Sequence, residues 1–132
     1  GKVDGLMLLQ PPSPFRSRFT VLRGIQLFNE CKYRSVVGVS PAKSHPLWCF
    51  KAEGETMRPY LDGGGLHLRS QDLPPAYVVN GGLYLITPED LRQLRSFYSN
   101  DTVPLIIDEP QESIDIDTAW DWKLAEAVIK IR

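Results

Sequence analysis

Leu6-Met7-Leu8-Leu9-Gln10-Pro11-Pro12-Ser13-Pro14 reads as a short apolar strand that runs into a rigid loop. Proline lacks a backbone donor and biases the residue before it toward extended geometry, so no strand or helix continues through 11–14. In open α/β sheets, ligand loops sit at such strand ends. Working outward, Phe19 to Lys32 carries Leu22, Ile25 and Phe28 at helical spacing, with Val21 and Cys31 beside them. That pattern predicts a helix with those side chains on its buried face. Ser35-Val36-Val37-Gly38-Val39-Ser40 is short and β-branched, which predicts a strand. Strand, helix and strand in that order predict a parallel βαβ unit with a right-handed crossover.

Pro46 to Asp72 changes character, with Trp48, Phe50 and Tyr60 followed by Gly63-Gly64-Gly65. Hairpins away from the main sheet are expected there. Tyr77-Val78-Val79 and Leu83-Tyr84-Leu85-Ile86 are strand-like on either side of Asn80-Gly81-Gly82. Asn-Gly is a hairpin turn signal, and glycines also suit a backbone that approaches a ligand closely. Thr87-Pro88-Glu89-Asp90 predicts a capped helix start, with the acids complementing the helix dipole and the helix running to about Ser96. Val103 to Ile107 predicts a further strand. A last helix begins at Thr118 and sets Leu124, Ala127, Val128 and Ile131 on one face.

The 132 residues suit one domain with a sizeable core. A net charge of -1, with no Lys/Arg block and no RNA-type aromatic motif, argues against nucleic-acid binding. No apolar run approaches the roughly 20 residues of a membrane helix, and no signal-peptide pattern is visible. Cys31 and Cys49 lack metal-ligand spacing and read as reduced, buried thiols of a cytoplasmic protein. Phosphate-loop, dinucleotide-binding and nucleophile-elbow motifs are all missing.

Asp115-Ile116-Asp117 is the strongest chemical feature. In a strand, residues two apart share a face, so both carboxylates point one way while Ile114 and Ile116 enter the core. Two convergent carboxylates suit Mg²⁺, which completes its shell with water and phosphate oxygens. The alternative is that one aspartate solvates a loop and the other precedes a capped helix. Gln10 offers an amide, Ser13 a hydroxyl and Arg16 a cationic fork for phosphate or carboxylate; the alternative is a proline turn with a surface arginine. Arg69 could grip a sugar carboxylate in bidentate fashion, or form a surface ion pair at a hairpin edge. His45 reads as a turn or packing residue.

Several segments, in order, resemble the C-terminal part of the acylneuraminate cytidylyltransferase (CMP-sialic acid synthetase) family. They are Leu8 to Arg16, Ser35-Val36-Val37, His45-Pro46-Leu47-Trp48, Arg69 to Pro74, Asn80 to Tyr84, and Ser113 to Thr118 with its following helix. The resemblance implies an α/β fold over a single domain, 1–132. Its sheet would be incomplete, nucleotide-diphospho-sugar-transferase-like and mostly parallel, with flanking helices. Residues 47–72 would form a β-hairpin dimerisation arm. It further implies a cytoplasmic homodimer that transfers CMP from CTP to a sialic-type sugar acid and releases pyrophosphate.

On this resemblance Asp115 and Asp117 are catalytic Mg²⁺ ligands. Gln10 and Arg69 contact the sugar acid, with Gln71, Asn80 and Tyr84 beside them, and Ser13 and Arg16 belong to the substrate loop. Phe97-Tyr98 resembles an aromatic pair set against the sugar across a dimer. Pro12 and Phe15 stand where the family usually has Thr and Leu, and Val78 stands where some members have Arg. The family's Gly/Ser loop that cradles the CTP phosphates has no counterpart in these residues. The expectation is therefore a chain inactive alone, with the sheet edge at Leu6 to Leu9 covered by a partner or by a rearrangement. The alternative is a non-catalytic dimeric remnant that binds a sugar acid or a protein. A glycosyltransferase that uses Asp-x-Asp to hold a nucleotide diphosphate matches far less of the chain.

Overall fold

The computed structural model describes residues 1–63 and 65–131. In chain order the elements are β1 (Leu6–Leu8), α1 (Arg18–Glu30), β2 (Val36–Pro41), β3 (Phe50–Glu53), β4 (Thr56–Pro59), β5 (Tyr77–Ile86), α2 (Pro88–Leu94), β6 (Val103–Ile106) and α3 (Ala119–Ile131). Short 3-10 turns occupy Pro46–Trp48, Ser70–Asp72 and Pro110–Ser113. The chain divides into two compact units, one of Gly1–Ser40 with Val79–Arg132 and one of Pro41–Val78.

The first unit is α/β, built on a mixed four-stranded sheet in the order β1-β5-β2-β6. β2 and β6 run parallel, with Val36 opposite Val103. β1 runs antiparallel to β5, with Leu6 opposite Ile86 and Leu8 opposite Tyr84. The sheet is therefore mixed, and β1 and β2, the strands of the expected βαβ unit, are not adjacent in it. β5 lies between them because it is buried without interruption from Asn80 to Ile86, the pattern of a central strand covered on both faces. The three-residue β1, whose Leu6 and Leu8 remain exposed, takes the edge.

The Asn80-Gly81 turn signal also resolves differently. No hairpin forms there; β5 continues through it, and Gly81 adopts φ +73 within the strand. Only glycine enters that region without steric penalty, so the Asn-Gly pair makes a kink in a continuous strand.

α1 docks on a different face from the one its leucines predict. Thr20, Gly24 and Phe28 are buried, while Leu22 and Ile25 are exposed. Gly24 explains the choice, because a Cβ there would run into the Leu83 side chain. The helix thus approaches β5 along its smallest residue. Phe28 then joins Val36, Leu83, Leu85, Leu105 and Ile107 in the main core. α3 packs through Ala125 and Val128 against Phe15, Ile114 and Ile116. Leu124 and Ile131, expected on that inner face, are exposed. α2 begins as predicted, with the Thr87 hydroxyl accepting from the Asp90 N–H at 3.1 Å. It ends at Arg95, whose left-handed conformation terminates the helix.

In the second unit, β3 and β4 form an antiparallel hairpin that turns at Gly54–Glu55, with Glu53 opposite Thr56 and all eight strand residues exposed. His45 caps the turn that follows it: Nδ1 accepts from the Leu47 N–H at 3.1 Å, and Nε2 lies 2.8 Å from the Pro74 carbonyl. Trp48 donates its indole N–H to the Leu68 carbonyl at 3.1 Å. Both cysteines are free but not buried as expected, since Cys31 is half-buried and Cys49 exposed. Among the described residues no helix is long and apolar enough to cross a membrane.

Candidate functional site

In the first unit the proline loop folds back on the β5 kink. Arg16 Nη2 donates to the Gln10 carbonyl at 2.9 Å, and its Nε donates to the Gly82 carbonyl. Ser13 donates its hydroxyl to the Asn80 carbonyl at 3.4 Å. The Gln10 side chain lies over Gly81, so close that a Cβ there would sit 2.7 Å from Gln10 Oε1. Asn80 is buried, and its amide is committed to the fold. It donates to Ser40 Oγ at 2.9 Å and accepts from the Gly82 N–H at 2.8 Å.

The Asp115–Asp117 segment is an extended loop between the Pro110–Ser113 turn and α3, where the sequence predicts a strand. Its only ladder-like bond goes from the Ile116 N–H to the Pro12 carbonyl at 2.8 Å, so no regular pairing develops. The alternation survives all the same. Ile114 is buried and Ile116 half-buried, while Asp115 and Asp117 are exposed.

Asp121 fixes the far end of this segment. Its Oδ2 accepts from the backbone N–H of Asp117 at 3.0 Å, and from the N–H and hydroxyl of Thr118 at 2.9 Å each. Thr118 Oγ1 accepts in return from the Asp121 N–H at 3.2 Å, a capping box at the start of α3. Those donors hold the Asp121 carboxyl below its ordinary value, led by the Asp117 N–H. Asp115 is shifted the other way. Burial raises it first, then the charge and hydrogen bond of the neighbouring Asp117, then Asp121.

Tyr84 adjoins this acidic group. Its ring centroid lies 5.3 Å from that of Phe97 and 6.2 Å from that of Tyr98, both on the same chain. Burial, a hydrogen bond with Tyr98, and the charges of Tyr98 and Asp115 push the Tyr84 phenol up to about 12. Tyr84 therefore keeps its proton at neutral pH. Asp115, Asp117, Tyr84, Phe97 and Tyr98 are thus brought together, and Gln10, Ser13, Arg16 and Asn80 form a second cluster on the same unit. Arg69 and Gln71 lie in the second unit. There Arg69 makes an exposed ion pair with Asp72 at 3.2 Å, and Gln71 is an exposed residue of the Ser70–Asp72 turn.

Two interacting carboxylates, one of them raised first by burial and then by the other, suit a divalent cation that takes one or two protein oxygens. Among the described residues no group of three or more His, Cys, Asp or Glu side chains could hold a metal. The remaining ligands would be water and phosphate oxygens.

Glu112, Thr118 and Asp121 were not anticipated as site residues. The Thr118-x-x-Asp121 spacing carries a readable capping signal. Nothing local marks Glu112, whose burial arises from tertiary packing.

No protein-family model matches the chain. A CMP-N,N'-diacetyllegionaminic acid synthase from Legionella pneumophila is 36% identical over 136 residues, covering 97% of this chain and 55% of that protein. The chain is homologous to the acylneuraminate cytidylyltransferases. A Streptococcus agalactiae relative named N-acylneuraminate cytidylyltransferase is 26% identical over 88% of this chain and 28% of its own length. Post-translational flagellin modification protein B from Campylobacter coli is 24% identical over 96% of this chain and 53% of its own. The chain therefore spans about half the length of the Legionella and Campylobacter relatives, and it matches the C-terminal part of the proteins it resembles.

Proposed function

We propose that this chain carries the metal- and sugar-acid-binding part of a site that transfers CMP from CTP to a sialic-type sugar acid, releasing pyrophosphate. The observation that carries this reading is the Asp115/Asp117 pair beside the protonated Tyr84, in a chain related to cytidylyltransferases. Asp115 and Asp117 supply hard oxygens for Mg²⁺. When bound, the ion would neutralise charge on the α-phosphate. Tyr84 donates a hydrogen bond from its retained proton, and Phe97 and Tyr98 wall the sugar. Gln10 binds the acid, with Asn80 beside it, and Ser13 and Arg16 shape the loop over Gly81 and Gly82.

Transfer also requires groups that hold the triphosphate, because that binding supplies much of the transition-state stabilisation. The 132 residues contain no glycine-rich phosphate loop, so we infer a chain inactive alone and competent once such a segment is supplied. The test is an assay with CTP, Mg²⁺ and N-acetylneuraminate or a legionaminic-type acid. The chain is assayed by itself and with the preceding half of the Legionella relative added in trans. CMP-sugar only in the second mixture supports the reading. Full turnover by the chain alone overturns the requirement for the missing loop.

The exposed β3–β4 hairpin favours a second reading, a non-catalytic homodimeric module that binds a sugar acid or a protein. Isolated two-stranded hairpins are marginal in water, so eight exposed strand residues suggest a partner. Tight CTP binding by the chain in calorimetry would contradict it.

A further inference from the structure

Glu112 is the one buried carboxylate among the described residues, and the proposed reaction makes no use of it. It sits in the Pro110–Ser113 turn, three residues before Asp115. Both of its oxygens are occupied. Oε1 accepts from the Ser17 N–H at 2.9 Å, and Oε2 accepts from the Thr20 hydroxyl, also at 2.9 Å. Ser17 is the N-cap of α1, and its own hydroxyl accepts from the Thr20 N–H at 3.0 Å. A buried carboxylate is stable only when its lone pairs are met, and here the start of α1 meets them with two donors and the positive end of its dipole.

The position matters more than the stability. Ser17 directly follows the Gln10–Arg16 loop. One residue after Asp115, the Ile116 N–H bonds the Pro12 carbonyl inside that same loop at 2.8 Å. Asp115 is therefore bracketed by two ties, one on each side, and both end on the segment running from Pro12 to Ser17. The Glu112 tie runs through the Glu112 side chain and so can be altered by substitution there, unlike the backbone bond at Ile116.

We propose that Glu112 is a positioning residue that sets the divalent-cation affinity of Asp115 and Asp117 by anchoring their segment to the start of α1. It rests on the metal-binding reading above. It touches neither metal nor substrate, and it acts by fixing where the Asp115 carboxylate stands.

Mn²⁺, followed by electron paramagnetic resonance, serves as the probe on the 132-residue chain. Glu112→Ala should weaken Mn²⁺ binding roughly tenfold, the lower end of what supporting partners of metal ligands contribute. Glu112→Gln should restore binding to within about twofold of the unsubstituted chain, because an amide can still accept from Ser17 and bond Thr20. Thr20→Val removes one of the two bonds and keeps the shape, and should weaken binding by a smaller factor. It decides the matter if Glu112→Ala does not fold. Unchanged Mn²⁺ affinity in the folded variants, with only a lower melting temperature, overturns the proposal. Absence of Mn²⁺ binding by the unsubstituted chain instead overturns the metal-binding reading itself, and the proposal with it.

Discussion

The two polar clusters of the first unit are built on opposite principles. Around Asn80, every bond closes on the protein: Ser40, Gly82, Gln10 and Asn80 itself accept or donate within a few residues of the β5 kink. Around Asp115, the arrangement is left unresolved. Two carboxylates repel, one is raised by burial and by the other, and a protonated tyrosine feels the charge of Asp115. The closed cluster gains stability from satisfied buried groups. The open one holds like charges that a cation would relieve, which is the condition expected of groups awaiting a ligand.

The sharpest break would come from the open cluster. Asp115→Asn combined with Asp117→Asn should reduce Mn²⁺ affinity by more than about 100-fold, beyond the range seen for supporting residues. Thermal stability should change by under about 0.5 kcal/mol, as for exposed positions generally. Equal loss of fold and metal binding would mean that the pair is structural. Asn80→Ala should do the reverse. It leaves the Gly82 N–H and Ser40 hydroxyl without their buried partner, a loss of about 2 kcal/mol by urea denaturation. Thr118→Ala removes the cap of α3 and should lower stability by about 1 kcal/mol, read from the same denaturation curves.

The smallest effect is in pH. Because Asp115 is raised in the folded chain, its protonated form is the one that folding favours. Its contribution to stability is therefore present below the unfolded carboxyl value and is lost as pH rises through the folded one. In the metal-free chain, Asp115→Asn should give a slightly higher melting temperature at neutral pH and no gain in acid. With Mn²⁺ present, binding should begin to fail at a higher pH than an ordinary carboxylate would give. Asp117→Asn should move that onset downward. A metal-free melting temperature indifferent to both substitutions would dissolve the distinction between the two clusters.

Much of the frame was readable in the sequence, and the exceptions share a cause. Strands 36–41 and 103–106 and the Thr87 cap follow from β-branching and capping chemistry, which act over a few residues. Leucine periodicity pointed to the wrong face of α1 because the decisive residue is Gly24, whose value lies in what it lets approach. Asn80-Gly81 asks locally for φ > 0, and the sequence cannot tell a hairpin from a kink. The buried partners on either side of β5 decide it. At the candidate site, the Asp115/Asp117 alternation was legible from spacing. The Glu112 tie was not, because it joins residues 95 and 92 positions apart.

Arg16 has a consequence of a different kind. The acceptors of its guanidinium are two backbone carbonyls, which are neutral and do not cancel its charge. The proline loop therefore presents a fixed positive point whose geometry needs no anion to set it. An incoming anion would feel attraction without having to order the side chain first, and that attraction would fade as added salt shortens its reach.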